Sequence, residues 1–125
     1  MKDQRTPLIQ RTKQFAHDCI KLAALLPSTT LGRHIKGQLS RCSTSVAANY
    51  RATCVAQSKA AFIAKISIVV EEIDESNFWL EFVRDEKLLG EKLCDLLLKE
   101  SSELTSIFIA SRKTASFNLR RRKKE

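Results

Sequence analysis

Between Gln38 and Phe82 the chain contains neither Gly nor Pro, the two residues that most often end a helix. The apolar residues in this stretch recur at intervals of three and four rather than alternating, which is the helical period. So long a run has to turn back on itself, and Gln57-Ser58 is the one short polar break. The stretch therefore dictates two long antiparallel helices. Among its apolar residues stand Ser45, Asn49, Glu72 and Glu75, polar groups that need partners if the shared helical face is buried.

The rest of the chain reads in the same way. Thr6-Pro7 suits an N-cap followed by Pro at the first helical position. From there Leu8, Thr12, Phe15, Cys19, Leu22 and Leu26 form a stripe that Pro27 ends. Ser28, Thr29 and Thr30 supply caps for a second stripe of Leu31, Ile35, Leu39, Cys42, Val46 and Asn49, continuing to about Cys54, with Gly32 and Gly37 loosening its first turns. Ser58 caps a third helix carrying Phe62, Ile66, Val69, Ile73, Leu80 and Val83, a stripe widened by Ile63, Val70, Phe78 and Trp79. Gly90 is read as its stop. The last stripe holds Leu93, Leu96, Leu97, Leu104, Ile107 and Phe108. The expected fold is all-α: an antiparallel up-down-up-down four-helix bundle over 1–111, with helices at about 7–26, 30–56, 58–88 and 91–111.

At 125 residues the chain is one domain. No apolar run nears the roughly 18 residues of a membrane span, and MKDQRTPLIQRTKQF lacks the apolar core of a signal peptide. A cytoplasmic protein without membrane contact is expected. Cys19, Cys42, Cys54 and Cys94 show no metal-ligand spacing. They read as core thiols, and neither a metal nor a cofactor is expected.

Charge falls into three blocks. Residues 1–70 carry 11 Lys and Arg against 2 acids, residues 71–111 carry 4 against 11, and residues 112–125 carry 7 against 1. Basic helices beside acidic ones cancel part of this by pairing, within the fold or between subunits. The excess is left on 112–125, where Arg120, Arg121, Arg122, Lys123 and Lys124 are adjacent. Mutual repulsion predicts a flexible basic tail, and such a cluster is also a phosphate-binding device. Phe117 and Leu119 interrupt it, suited to docking on a neighbouring subunit or to stacking on a base.

Ser45 and Asn49 share a face of the second helix, as Glu72 and Glu75 do on the third. Pairing about the Gln57-Ser58 turn brings Glu72 within reach of Arg41 and Ser45. Two carboxylates can act as acid and base, but no nucleophile, patterned His or glycine-rich phosphate loop accompanies them. The four residues read as a structural polar network, with no catalytic residue, and Phe62, Phe78 and Trp79 read as packing or interface groups.

Several of these residues also carry a family resemblance. Leu26-Pro27, Gln38, Arg41, Ser45, Asn49, Ser58, Phe62, Lys65, Glu72, Glu75, Trp79 and Leu80 span roughly residues 26–82. In order and spacing they resemble the four-helix-bundle proteins encoded within intervening sequences of bacterial 23S ribosomal RNA genes. Many members follow the asparagine with Ile-Ala-Glu-Gly, whereas here Asn49 leads into Tyr50-Arg51-Ala52-Thr53, so the second helix is expected to run on towards Gln57. The resemblance implies assembly as a homopentamer, and with it no established activity. The accessory proteins of diversity-generating retroelements are similar in fold; they form basic pentameric barrels that bind nucleic acid and a reverse transcriptase.

The expected function is non-enzymatic: an oligomeric bundle binding RNA, or nucleic acid more broadly. Its candidate contacts are Arg33, Lys36, Arg41, Arg51, Lys59 and Arg120 to Lys124. The alternative is an adaptor acting through a partner protein, with charge segregation serving subunit assembly.

Overall fold

Two side chains set the joints on either side of the second helix. The Thr29 hydroxyl accepts the Gly32 N–H at 3.0 Å and the Ser58 hydroxyl accepts the Ala61 N–H at 3.1 Å, each satisfying a donor that the first turn leaves open. The computed structural model describes residues 5–124. Its helices are α1 (Arg5–Ala24), α2 (Thr30–Thr53), α3 (Lys59–Asp85) and α4 (Glu91–Lys124), and the described residues form no strand.

Each helix packs on the next, and α4 returns more sparsely to α1. Direct pairs give the directions. His34 meets Trp79 and Arg41 meets Glu72 between α2 and α3, while Asn77 meets Ser101 and Arg84 meets Asp95 between α3 and α4. Rising numbers on one helix meet falling numbers on its neighbour, so these helices are antiparallel.

Several boundaries differ from the sequence reading, each for a local reason. Helix α1 begins at Arg5, so Pro7 lies inside its first turn, where an N–H is not needed; the Thr6 side chain lies outside the described residues. Helix α2 stops at Thr53 with Cys54 as its C-cap, rather than running on to 56. Gly90 does not end α3. That helix closes at Glu86, where the Lys87 N–H reaches the Arg84 carbonyl and the Leu88 N–H reaches the Val83 carbonyl, each at 3.0 Å. This is the paired C-terminal bonding that needs a left-handed residue, and Lys87 supplies it at φ 56°. Gly90 instead precedes α4, its carbonyl accepting from Cys94. Because a side-chain-bearing residue pays a steric penalty in that conformation, Lys87→Gly is expected to raise unfolding free energy by about 1 kcal/mol. Urea denaturation checks this, and an unchanged midpoint would refute it.

The largest difference is the tail. In place of a flexible segment after Ser111, α4 continues to Lys124. Its inward face carries on past Phe108 through half-buried Ser111 and buried Ala115 to half-buried Leu119. Arg and Lys are good helix formers, and cations near a helix C-terminus are favoured by its dipole. Local repulsion is thus outweighed. The Asn77–Ser101 and Arg84–Asp95 pairs put Lys59 level with residues near 119, so α4 overhangs α3 by a little over one turn.

The core is built from Phe15, Cys19 and Leu22 of α1, Ile35, Leu39, Cys42, Val46 and Tyr50 of α2, Ile66, Val69, Ile73, Leu80 and Val83 of α3, and Cys94, Leu104 and Phe108 of α4. Ser76 fills the interval between Ile73 and Leu80, its hydroxyl donating to the Glu72 carbonyl at 2.9 Å and meeting the Cys42 thiol at 3.2 Å. In α4 Leu97, Leu104 and Phe108 are buried as expected, but Leu93 and Leu96 are exposed and Cys94, Leu98 and Ser101 take the inward places.

Candidate nucleic-acid interface

Acidic residues of α3 and α4 engage two arginines of the earlier helices. Arg41 on α2 donates to both Glu72 and Glu75 on α3. Arg11 on α1 holds Glu100 through Nε at 2.9 Å and Nη2 at 2.5 Å, and reaches Glu103 at 2.6 Å. The Glu100 hydrogen bonds push the guanidinium further above its ordinary value. Arg84 bridges Asp85 and Asp95, each at 3.3 Å. Such pairs are solvated and screened, and fix helix register more than they add stability.

The expected polar network is therefore two separate arrangements. Glu72 and Glu75 converge on Arg41, whereas Asn49 donates to the Ser45 carbonyl and hydroxyl, both at 2.9 Å and both within α2. Ser45 and Glu72 are not joined. Sequence reasoning missed the Arg11 clamp and the Ser101 hydroxyl, which donates to Asn77 Oδ1 at 2.6 Å across α3 and α4. An Arg at 11 with Glu at 100 and 103, three apart on one face, was the available signal.

The candidate phosphate contacts fall in different places. Arg33 donates to the Ser28 carbonyl at 2.6 Å and Lys36 is exposed one turn on, both at the α1–α2 turn. Arg51 lines a groove of about 480 Å³ between α1 and α2, floored by Ile9, Ala16, Ile20, Ala47 and Ala48. Lys59, Asn118, Arg121 and Arg122 surround one recess of about 410 Å³ at the opposite end. There the first turn of α3 meets the overhanging end of α4. Arg120 and Lys123 are exposed on the same overhang; the Lys124 side chain lies outside the described residues. From Leu104 to Lys124 there is no acidic residue, and Glu125 follows outside the described residues. The open N-terminal amides of α3 add a partial positive charge.

Phe62 and Trp79 are partly buried against the core. Phe78 stands 51% exposed, with ring centroids 4.9 Å from Trp79 and 5.9 Å from Phe82. The Trp79 indole N–H is buried without an acceptor among the described residues. Burial lifts the Cys42 thiol to about 11 and pushes Cys19 up as well, so neither forms a thiolate at neutral pH. Among the described residues no three His, Cys, Asp or Glu side chains gather to hold a metal, and no helix is long and apolar enough to cross a membrane.

Comparison with known proteins accords with this architecture. Residues 4–110 match the family model described as 23S rRNA-intervening sequence protein. A crystal structure of a protein of unknown function from the S23 ribosomal protein family of Bacteroides thetaiotaomicron is similar, with 27% identity and a TM-score of 0.78, over 84% of this chain and 97% of that one. No curated protein matches.

Proposed function

Since the chain belongs to the 23S rRNA-intervening sequence protein family, we propose that it is a non-enzymatic, oligomeric bundle that binds RNA, or nucleic acid more broadly, through the basic end where α3 begins and α4 overhangs. The convergence of Lys59, Arg121 and Arg122 around one recess carries this reading. Arg11 and Arg41 on the earlier helices are met by carboxylates, whereas this recess is lined by three cations and an asparagine. Binding is led by charge and shape, with no groove-reading element to select bases.

In a filter-binding titration of structured RNA, log affinity is expected to fall linearly with log salt. Arg120→Gln, Arg121→Gln and Arg122→Gln together should flatten the slope by about 0.7–0.9 for each phosphate contact removed. Negligible binding at about 50 mM salt, or a slope unchanged in the triple variant, sinks the proposal. Substitution is cleaner than truncation after Ser111, because truncation also removes buried Ala115.

The adaptor reading, with a homopentamer as the assembled form, draws support from a different surface. The α1–α2 groove is rimmed by Lys13, His17 and Arg51, while α3 exposes Ile68, Glu71, Asp74, Phe78 and Glu81 along its outer side. One face is basic and the other acidic, and both carry apolar side chains. Light scattering on Phe78→Asp separates the readings: lost oligomers with RNA binding intact per subunit assign this face to assembly alone.

A further inference from the structure

We infer that the basic end selects single-stranded nucleic acid over duplex, with Phe117 as the platform on which an unpaired base stacks. The inference rests on the binding proposed above and adds the class of nucleic acid. Phe117 is 60% exposed, and among the described residues no ring packs against it, unlike exposed Phe78 with its two ring neighbours. Residues three and four apart on a helix lie side by side, which sets Lys113, Arg120 and Arg121 around the Phe117 ring. Lys113 and Arg120 are exposed as well, and Arg121 also lines the recess shared with Lys59, Asn118 and Arg122.

An apolar ring held in water within a ring of cations is costly for solubility and idle for packing. It suits a ligand with a flat apolar face and a polyanionic backbone. Unpaired nucleotides have both, whereas duplex stacks its bases internally and offers only phosphates. Cationic grooves combined with aromatic platforms are how single strands are held without sequence preference. The shared chemistry is base face plus phosphodiester, so RNA and DNA are both tested.

The experiment is fluorescence anisotropy with the full chain and strands of about 12 nucleotides, within the span of single-strand sites, as RNA and as DNA. Each is compared with a duplex of the same sequence over about 50–200 mM salt. Wild-type protein should favour single strand, and Phe117→Ala should weaken single-strand binding by about 5- to 100-fold and close the gap to duplex. Phe117→Trp should keep the gap. Equal gaps for RNA and DNA place recognition on base and phosphate; a gap for RNA alone adds the ribose hydroxyl, and the inference stands in both cases. Equal wild-type affinity for single strand and duplex overturns it and leaves phosphate binding intact. So does a Phe117→Ala loss accompanied by a change in oligomeric mass, which makes the ring a subunit contact. Failure to bind either form at low salt removes the parent reading with it.

Discussion

Replacing Gly32 with alanine is expected to lower the unfolding free energy by about 3 kcal/mol, at the upper end of the cost of overpacking. A methyl group built there would sit 2.0 Å from the Pro27 carbonyl oxygen and 3.1 Å from the Thr29 hydroxyl. The first is backbone, so relief requires moving the α1–α2 turn; the second is the cap that starts α2. Gly37 offers the opposite sign. A methyl there meets nothing within 4 Å, so Gly37→Ala should add about 0.5–1 kcal/mol by helix propensity alone. Urea denaturation of the two variants decides the matter. A mild effect for Gly32→Ala, close to that at Gly37, contradicts the packed turn described here.

Truncating Phe108 to alanine should cost about 3–5 kcal/mol, a large share of the roughly 5–15 kcal/mol that holds a domain together. Phe108 is fully buried, and its ring centroid lies 5.1 Å from that of Tyr50 on α2. It is also the last large buried side chain of α4; beyond it only Ala115 is buried among the described residues. The loss should therefore be uneven. Amide exchange over residues 109–123 is expected to accelerate more than in the first half of α4. Uniform acceleration along the whole helix would show that the overhang is held by something other than this contact. Phe108→Leu, which keeps most of the volume, should restore much of the protection.

How far these features could be read in advance varied with the local chemistry. The α1 stripe and the α3 stripe were legible because Thr12, Phe15, Cys19 and Leu22, and likewise Ile66, Val69 and Ile73, hold the three-and-four spacing over successive turns. That spacing persists even where apolar neighbours such as Ile63 and Val70 widen the face. In α4, Leu96, Leu97 and Leu98 are consecutive, so apolarity alone does not say which of them turns inward; packing against α1 and α3 decides it. Tyr50 and Thr53 escaped notice for a related reason. The α2 stripe was carried through Asn49 and not through its neighbour, yet Asn49 is half-buried and bonded to Ser45. Gly90 looked like a helix stop, but the hydrogen bonds that end α3 fall on Lys87, a residue with no preference for that conformation. Like-charge repulsion alone predicts a loose tail, but the small residues Ser111 and Ala115 let the helix stay seated. At the candidate site, Lys59 and the arginines near the C-terminus were named as separate patches. Only the antiparallel pairing of α3 with α4 places them around one recess.

The overhang of α4 also gives the molecule a polarity. A cyclic assembly relates its copies by rotation about one axis, so with the bundles lying along that axis every protruding helix end would emerge at the same end of it. Such a ring would have one face crowned with Arg120, Arg121, Arg122 and Lys123 from each copy, and an opposite face without that charge. A long polyanion meeting the crowned face would be gripped at several points at once, each raising the local concentration for the next. The same strand meeting the other face would find a sparser set of cations, among them Arg33 and Lys36 of each α1–α2 turn.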